Sequence, residues 1–138
     1  MNAIQELLAY YPFSIIVIVM IAAESLKQLI SGVKDNTWFA TGGMPSSHSA
    51  FAMSLLLVVG TIDGLSSTTF AIASVLAGYI WYDAAFVRSK VGEQAKALNI
   101  LQQFEAFSER VGHSVAEVIA GIVFGAVMTW VLLLWIGL

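Results

Sequence analysis

The sequence predicts an all-α, polytopic membrane helix bundle, and three observations lead there. Apolar residues make up 59% of the chain and charged residues only 11%, with a mean hydropathy of +0.85. A soluble domain of this size needs more charge to cover its surface. The runs Leu7 to Ala23, Gly64 to Tyr82 and Val118 to Leu138 contain no Asp, Glu, Lys, Arg or His. The last two reach the roughly 20 apolar residues that carry a helix across a bilayer. The first reaches it with Glu24 and Lys27 at its polar end.

Taken in order, the pattern gives four spans in a single domain covering residues 1–138, with an interfacial helix between the third and the fourth. The first span runs from about Tyr10 to Ser31. Since Met1 to Glu6 lacks a basic start, this segment is expected to stay as a transmembrane helix. Gly32, Gly42, Gly43 and Pro45 mark the connector that follows as a turn region. The second span covers about Ser47 to Ile62, and becomes long enough if it begins near Ser46. The Asp63-Gly64 turn leads to the third, about Ser67 to Val87. In the polar stretch Arg88 to Gly112, the residues Ala95, Leu98, Leu101, Phe104 and Phe107 recur every three positions. That spacing predicts a helix lying in the interface or against the bundle. The fourth span runs from about Ser114 to Trp135.

Charge and cysteine usage narrow the function. A net charge of -3 and a pI near 5.1 give no basis for nucleic-acid binding. The absence of cysteine excludes disulfides and thiolate metal sites. Four spans put every Lys and Arg on one membrane face, which the positive-inside rule makes cytoplasmic. A phosphate site would gather the same cations. The bundle is thin, so association of copies into a homo-oligomer is one way to bury its polar residues.

Two constellations carry chemistry. In Gly42-Gly43-Met44-Pro45-Ser46-Ser47-His48-Ser49, the glycines permit a tight turn and Ser46 or Ser47 caps the next helix. A helix N-terminus of this kind binds anions, and His48 lies in its first turn. In Arg110-Val111-Gly112-His113-Ser114-Val115-Ala116-Glu117, His113 and Glu117 are four apart. On a helix they share a face, so the carboxylate is expected to hold one imidazole nitrogen and leave the other as nucleophile or base. The chain has only these two histidines, both at predicted helix starts, and the two helices run in the same direction. The plain alternative for each is a turn, a cap or a buried polar pair that orders the bundle.

The cations Lys27, Lys34 and Arg88 fall at the same face and suit phosphate recognition. Glu24 and Asp83 are expected to pair with them. Lys90 and Lys96 read as interfacial snorkelling residues, and Gln94 and Asn99 as surface polar residues.

These pieces, in this order, resemble the type-2 phosphatidic acid phosphatase superfamily, which includes the vanadium-dependent haloperoxidases. Its motifs are Lys-x6-Arg-Pro, Pro-Ser-Gly-His and Ser-Arg-x5-His-x3-Asp. Lys27-x6-Lys34 is similar to the first, with Lys for Arg and Asp35 for Pro. Pro45-Ser46-Ser47-His48 is similar to the second, with Ser for Gly. His113-x3-Glu117 is similar to the end of the third, with Glu for Asp and Phe107 where the arginine is expected. Arg88 or Arg110 would then supply that charge. The whole pattern, over about Glu24 to Gly125, resembles the divergent bacterial branch.

The resemblance implies an integral enzyme of the bacterial inner membrane that hydrolyses a lipid phosphate monoester or diphosphate without a metal or other cofactor. It implies His113, oriented by Glu117, as nucleophile and His48 as acid and base. Lys27, Lys34, Arg88, Arg110, Ser46 and Ser47 would hold the phosphate, supported by Asp83, Glu24 and Gly43. The rival expectations are a non-catalytic protein that binds or transports a lipid or anion, a structural subunit, and a metal site built from His48, His113, Asp83 and Glu117.

Overall fold

The computed structural model describes residues 3–31, 42–101, 107–109 and 111–138. Among these residues there are six α-helices and no strand: α1 (Ala3–Tyr10), α2 (Pro12–Ser31), α3 (Ser47–Ile62), α4 (Thr68–Tyr82), α5 (Arg88–Leu101) and α6 (Val115–Ile136). The chain is an all-α membrane bundle, as its composition predicts. By length and hydropathy α2, the continuous helix from Thr68 to Leu101, and α6 are each able to cross a membrane. α3 is apolar but has 16 residues, about 24 Å at 1.5 Å per residue against a hydrocarbon core of about 30 Å.

Pro12 separates α1 from α2: it lacks an N–H and disfavours helical geometry at Tyr11, but fits the first helical position. α1 is tied down by Leu8, which is buried, and by Gln5, whose Nε2 donates to the Trp135 carbonyl at 2.7 Å. Ser46 caps α3, and Ser67 caps α4 by accepting from Phe70 N at 3.1 Å. α6 opens on a full capping box, Ser114 with Glu117, and closes on Gly137 in the left-handed region at φ 82°.

Two features differ from the sequence pattern: α1 precedes the first span as a separate short helix, and one span boundary moves. The third span does not end at Val87. A single π turn, Asp83–Val87, joins α4 to α5, so the segment expected as a separate interfacial helix continues the span to Leu101. No Pro stands between Thr68 and Leu101, so the polar residues after Val87 alter what the helix faces without breaking it. Ala95 is buried, whereas Leu98 and Leu101 are exposed.

α3 is the hub, in contact with α2, α4 and α6. Its contact with α6 is unusually close. A Cβ on Gly121 would fall 2.3 Å from the Ser46 carbonyl oxygen, and one on Gly125 would fall 2.5 Å from that of Ala50. Both numbers rise together along the two helices, so α3 and α6 are parallel. Small residues four apart let membrane helices approach at backbone distance, and this contact sets the N-termini of α3 and α6 side by side. The interior is graded. Leu8, Ile15, Ile16, Val58, Leu133 and Ile136 form an apolar core at one end. Glu24, Lys27, Ser46, Ser47, Ser49 and His113 are buried toward the other. Large apolar side chains such as Val75, Ile72 and Ile119 face outward, where only lipid removes them from water.

Candidate active site

The turn before α3 is built from residues with special backbones. Gly42 and Gly43 have φ of 86° and 96°, a region that favours glycine. The Gly43 N–H donates to Glu117 Oε1 at 3.2 Å, and Ser46 N–H donates to the Glu117 carbonyl at 3.2 Å. Two bonds therefore lash the 42–46 turn to the first turn of α6. The Ser46 hydroxyl accepts from Ser49 N–H and from Ser49 Oγ, and Ser46, Ser47 and Ser49 are all buried. Their hydroxyls are buried in the turn and the α3–α6 contact. His48, between them in sequence, is exposed at the mouth of a cavity.

His113 arrives from the other direction. It is not on the helix, because Ser114 is the cap of α6. Gly112, at φ 94°, brings the chain so near α5 that a Cβ there would lie 2.8 Å from Arg88 Cβ. The His113 N–H then donates to the Ala84 carbonyl at 3.0 Å, within the π turn. π turns occur preferentially at functional positions, and this one also accounts for the pair beside it. In i-to-i+5 geometry Asp83 and Arg88 stack one above the other, and Arg88 Nε donates to Asp83 Oδ2 at 2.7 Å.

A cavity of about 270 Å³ is lined by His48, Phe51, Tyr79, Ile80, Asp83, Ala84, Arg88 and His113. Both histidines and the Asp83–Arg88 pair thus share one wall, with apolar side chains from α3 and α4 below them. On its other side His113 borders a second, polar cavity of about 410 Å³ that includes Ser89, Gly92, Lys96, Glu109 and Ser114. Lys27 is buried on α2 with its ammonium 2.7 Å from Glu24 Oε1.

The imidazole of His113 is buried, and neither ring nitrogen has a hydrogen-bond partner among the described residues. Burial pushes its pKa below the ordinary 6.5, and His48, Lys27 and Arg88 push the same way, while the Glu117 carboxylate pushes against them. A neutral imidazole with an unencumbered nitrogen is a competent nucleophile or base at neutral pH.

The expected hydrogen bond from a His113 ring N–H to Glu117 is not formed. Glu117 Oε2 accepts from Ser114 N–H at 2.7 Å and Oε1 from Gly43 N–H, so both oxygens serve backbone. The four-residue spacing presumed one helix, but His113 precedes the cap, and Glu117 occupies the position where a carboxylate closes a capping box. Lys34 and Arg110 lie outside the described residues. Among the described residues no three His, Asp or Glu side chains gather at metal-ligand spacing, so the four-residue metal reading finds no converging set.

Sequence reasoning missed Gly121 and Gly125, although Gly-x3-Gly in an apolar segment is a readable signal. It also missed Ala84 and the π turn, for which no pattern exists, and Trp81, whose Nε1 donates to the Ser49 carbonyl at 3.4 Å.

Comparison with known proteins adds two findings. Residues 8–128 match the family described as "Divergent PAP2 family". An "Uncharacterized membrane protein YuiD" from Bacillus subtilis is 34% identical, the match covering 67% of this chain and 72% of that one. No solved structure matches the chain at a significant level.

Proposed function

The chain belongs to the Divergent PAP2 family, and from that membership we propose that it hydrolyses a phosphate monoester or diphosphate on a membrane lipid. The observation that carries the reading is His113: a buried imidazole whose nitrogens have no hydrogen-bond partner among the described residues, in the lining of a cavity with His48 and Arg88. Structural histidines buried in a bundle find hydrogen-bond partners. One that has none beside a cavity is available to a ligand.

In this reading the phosphoryl group sits among His113, His48 and Arg88, near the N-terminus of α3. Arg88, held in place by Asp83, takes phosphoryl oxygens with its guanidinium, and Lys27 adds positive potential from beneath. A ring nitrogen of His113 attacks phosphorus. The N–P bond forms as the P–O bond to the lipid alkoxide breaks, and His48 gives that alkoxide a proton. His48, now neutral, takes a proton from water as its oxygen attacks phosphorus. The N–P bond then breaks and phosphate leaves. Cationic side chains stabilise the developing charge throughout, so the scheme needs no metal. The lipid tail lies toward Phe51, Tyr79 and Ile80, and the positive-inside rule favours the cytoplasmic face of a bacterial inner membrane for the site.

The test is to trap the intermediate. Incubation with a phosphorus-labelled lipid phosphate and an alkaline quench should leave acid-labile, base-stable label on the wild-type chain and none on His113→Ala. Equal labelling of the two would contradict the reading.

The engagement of Glu117 in the capping box favours one alternative, a protein that binds a lipid or anion without turnover. Its signature is saturable lipid phosphate binding with no release of inorganic phosphate.

A further inference from the structure

His113 is fixed by a stretch of chain whose own anchoring is unassigned. Phe107 to Glu109 and Val111 to His113 run back along α5 toward the π turn. Near the C-terminal end of α5, Asn99 Oδ1 accepts from Phe107 N–H at 2.8 Å, and Asn99 Nδ2 donates both to the Phe107 carbonyl and to Glu109 Oε1, each at 2.9 Å. Further along, a Cβ on Gly92 would lie 2.6 Å from the Glu109 carbonyl oxygen, and Gly112 lies against Arg88 and Ser89. At the far end His113 N–H meets the Ala84 carbonyl.

The glycine contacts are permissive. They let the two chains touch, yet they contain no directional bond and so do not choose a register. Among the described residues, directional bonds stand at the two ends, one at His113 and three at Asn99. A primary amide bonds both the N–H and the carbonyl of one residue, as a neighbouring strand would, because it carries donor and acceptor together.

We propose that Asn99 is a positioning residue for His113: it sets the register of the returning segment on α5 and thereby holds the imidazole in the cavity wall. This rests on the reading of His113 as the attacking group. Asn99 touches no substrate. It acts through the backbone of Phe107, and the Glu109 side-chain oxygen is a further acceptor for its amide.

The experiment uses the full chain in detergent and has two arms. In the first, lipid phosphate turnover is measured for Asn99→Ala and Glu109→Gln. Asn99→Ala should lower kcat about 10- to 100-fold, the scale of a small misplacement of a reacting group, with KM little changed. Glu109→Gln keeps a carbonyl for Asn99 to donate to, so its kcat should stay near that of the wild type. The second arm needs no turnover. In a His48→Ala background His113 is the one remaining histidine, and its modification by diethyl pyrocarbonate reports its accessibility. Modification should be slow in the parent, faster with Asn99→Ala and unchanged with Glu109→Gln, at closely similar melting temperatures. If Asn99→Ala does not fold, Asn99→Asp replaces it, keeping the acceptor for Phe107 N–H and losing both donations.

Equal modification rates in parent and Asn99 variant would overturn the proposal. A wild-type chain without turnover would contradict the phosphatase reading, while faster modification in the Asn99 variant would still uphold the positioning of His113.

Discussion

The His113 N–H donates to the Ala84 carbonyl inside the π turn, and this bond ties the loop before α6 to the helix that carries Asp83 and Arg88. Helix α3 contributes His48 to the lining of the cavity they share. The candidate site is therefore a junction of three elements distant in sequence: the α3 N-terminus, the α4–α5 π turn and the chain entering α6.

Removal of either histidine separates the two chemical roles. His113→Ala should leave no phosphoenzyme and no turnover above background. His48→Ala should still bind lipid phosphate and lose about 10²- to 10⁴-fold in kcat, the usual contribution of a general acid–base group. Steady-state kinetics with a soluble short-chain lipid phosphate measures both. A His48→Ala chain with wild-type kcat would remove it from the scheme.

Glu117 distinguishes a cap from an orienting carboxylate. Its oxygens accept from Ser114 N–H and Gly43 N–H. Glu117→Gln retains one accepting oxygen and replaces the other with a donor. Stability should fall by about 0.5–2 kcal/mol, as for a lost helix cap, with kcat reduced less than tenfold. A large loss of kcat at unchanged melting temperature would mean that the carboxylate acts on His113 during turnover.

Gly121 and Gly125 hold α3 against α6. Gly121→Val places its Cβ where the Ser46 carbonyl stands, at 2.3 Å. Overpacking of this kind costs about 1–3 kcal/mol or more, and backbone, unlike a side-chain tip, yields only by moving the helix. Thermal unfolding in detergent should show the loss, and turnover should fall with it because His48 and the 42–46 turn shift away from α6. An unaffected Gly121→Val would mean that the two helices are not in contact there.

The depressed pKa of His113 fixes the sign of two pH effects. Burial keeps the folded-state value below the unfolded 6.5, so between the two values the unfolded chain binds the proton and the folded chain does not. That contribution to stability is complete above about pH 6.5 and is lost as the pH falls toward the folded value. The same shift keeps the nucleophile neutral, so the acid limb of kcat/KM assigned to His113 should lie below 6.5. A midpoint above 6.5 for the pH dependence of His113 modification by diethyl pyrocarbonate in the His48→Ala chain would contradict the burial argument.

The fold was readable because its signals are coarse. Uncharged runs of transmembrane length and the glycine, proline and serine punctuation place α2, α3, α4 and α6 to within a few residues. Hydropathy could not show that α4 runs on through a π turn into α5, since polar residues after Val87 mark the end of an apolar surface and not of a helix. For the site, His48 and His113 stood out because histidine is rare at the mouths of membrane helices. The role assigned to Glu117 depended on helical phase, which a single-residue difference at the Ser114 cap overturned. Asn99 carried no signal: an amide on an exposed helix looks the same whether it clasps a returning chain or faces water.

Release of inorganic phosphate from a panel of lipid phosphates, with EDTA present, by the wild-type chain and by His113→Ala tests the central claim most directly. The account predicts release by the wild type that EDTA does not suppress and that the substitution abolishes. Saturable lipid binding with no release from any member of the panel, or release that His113→Ala retains, would contradict it.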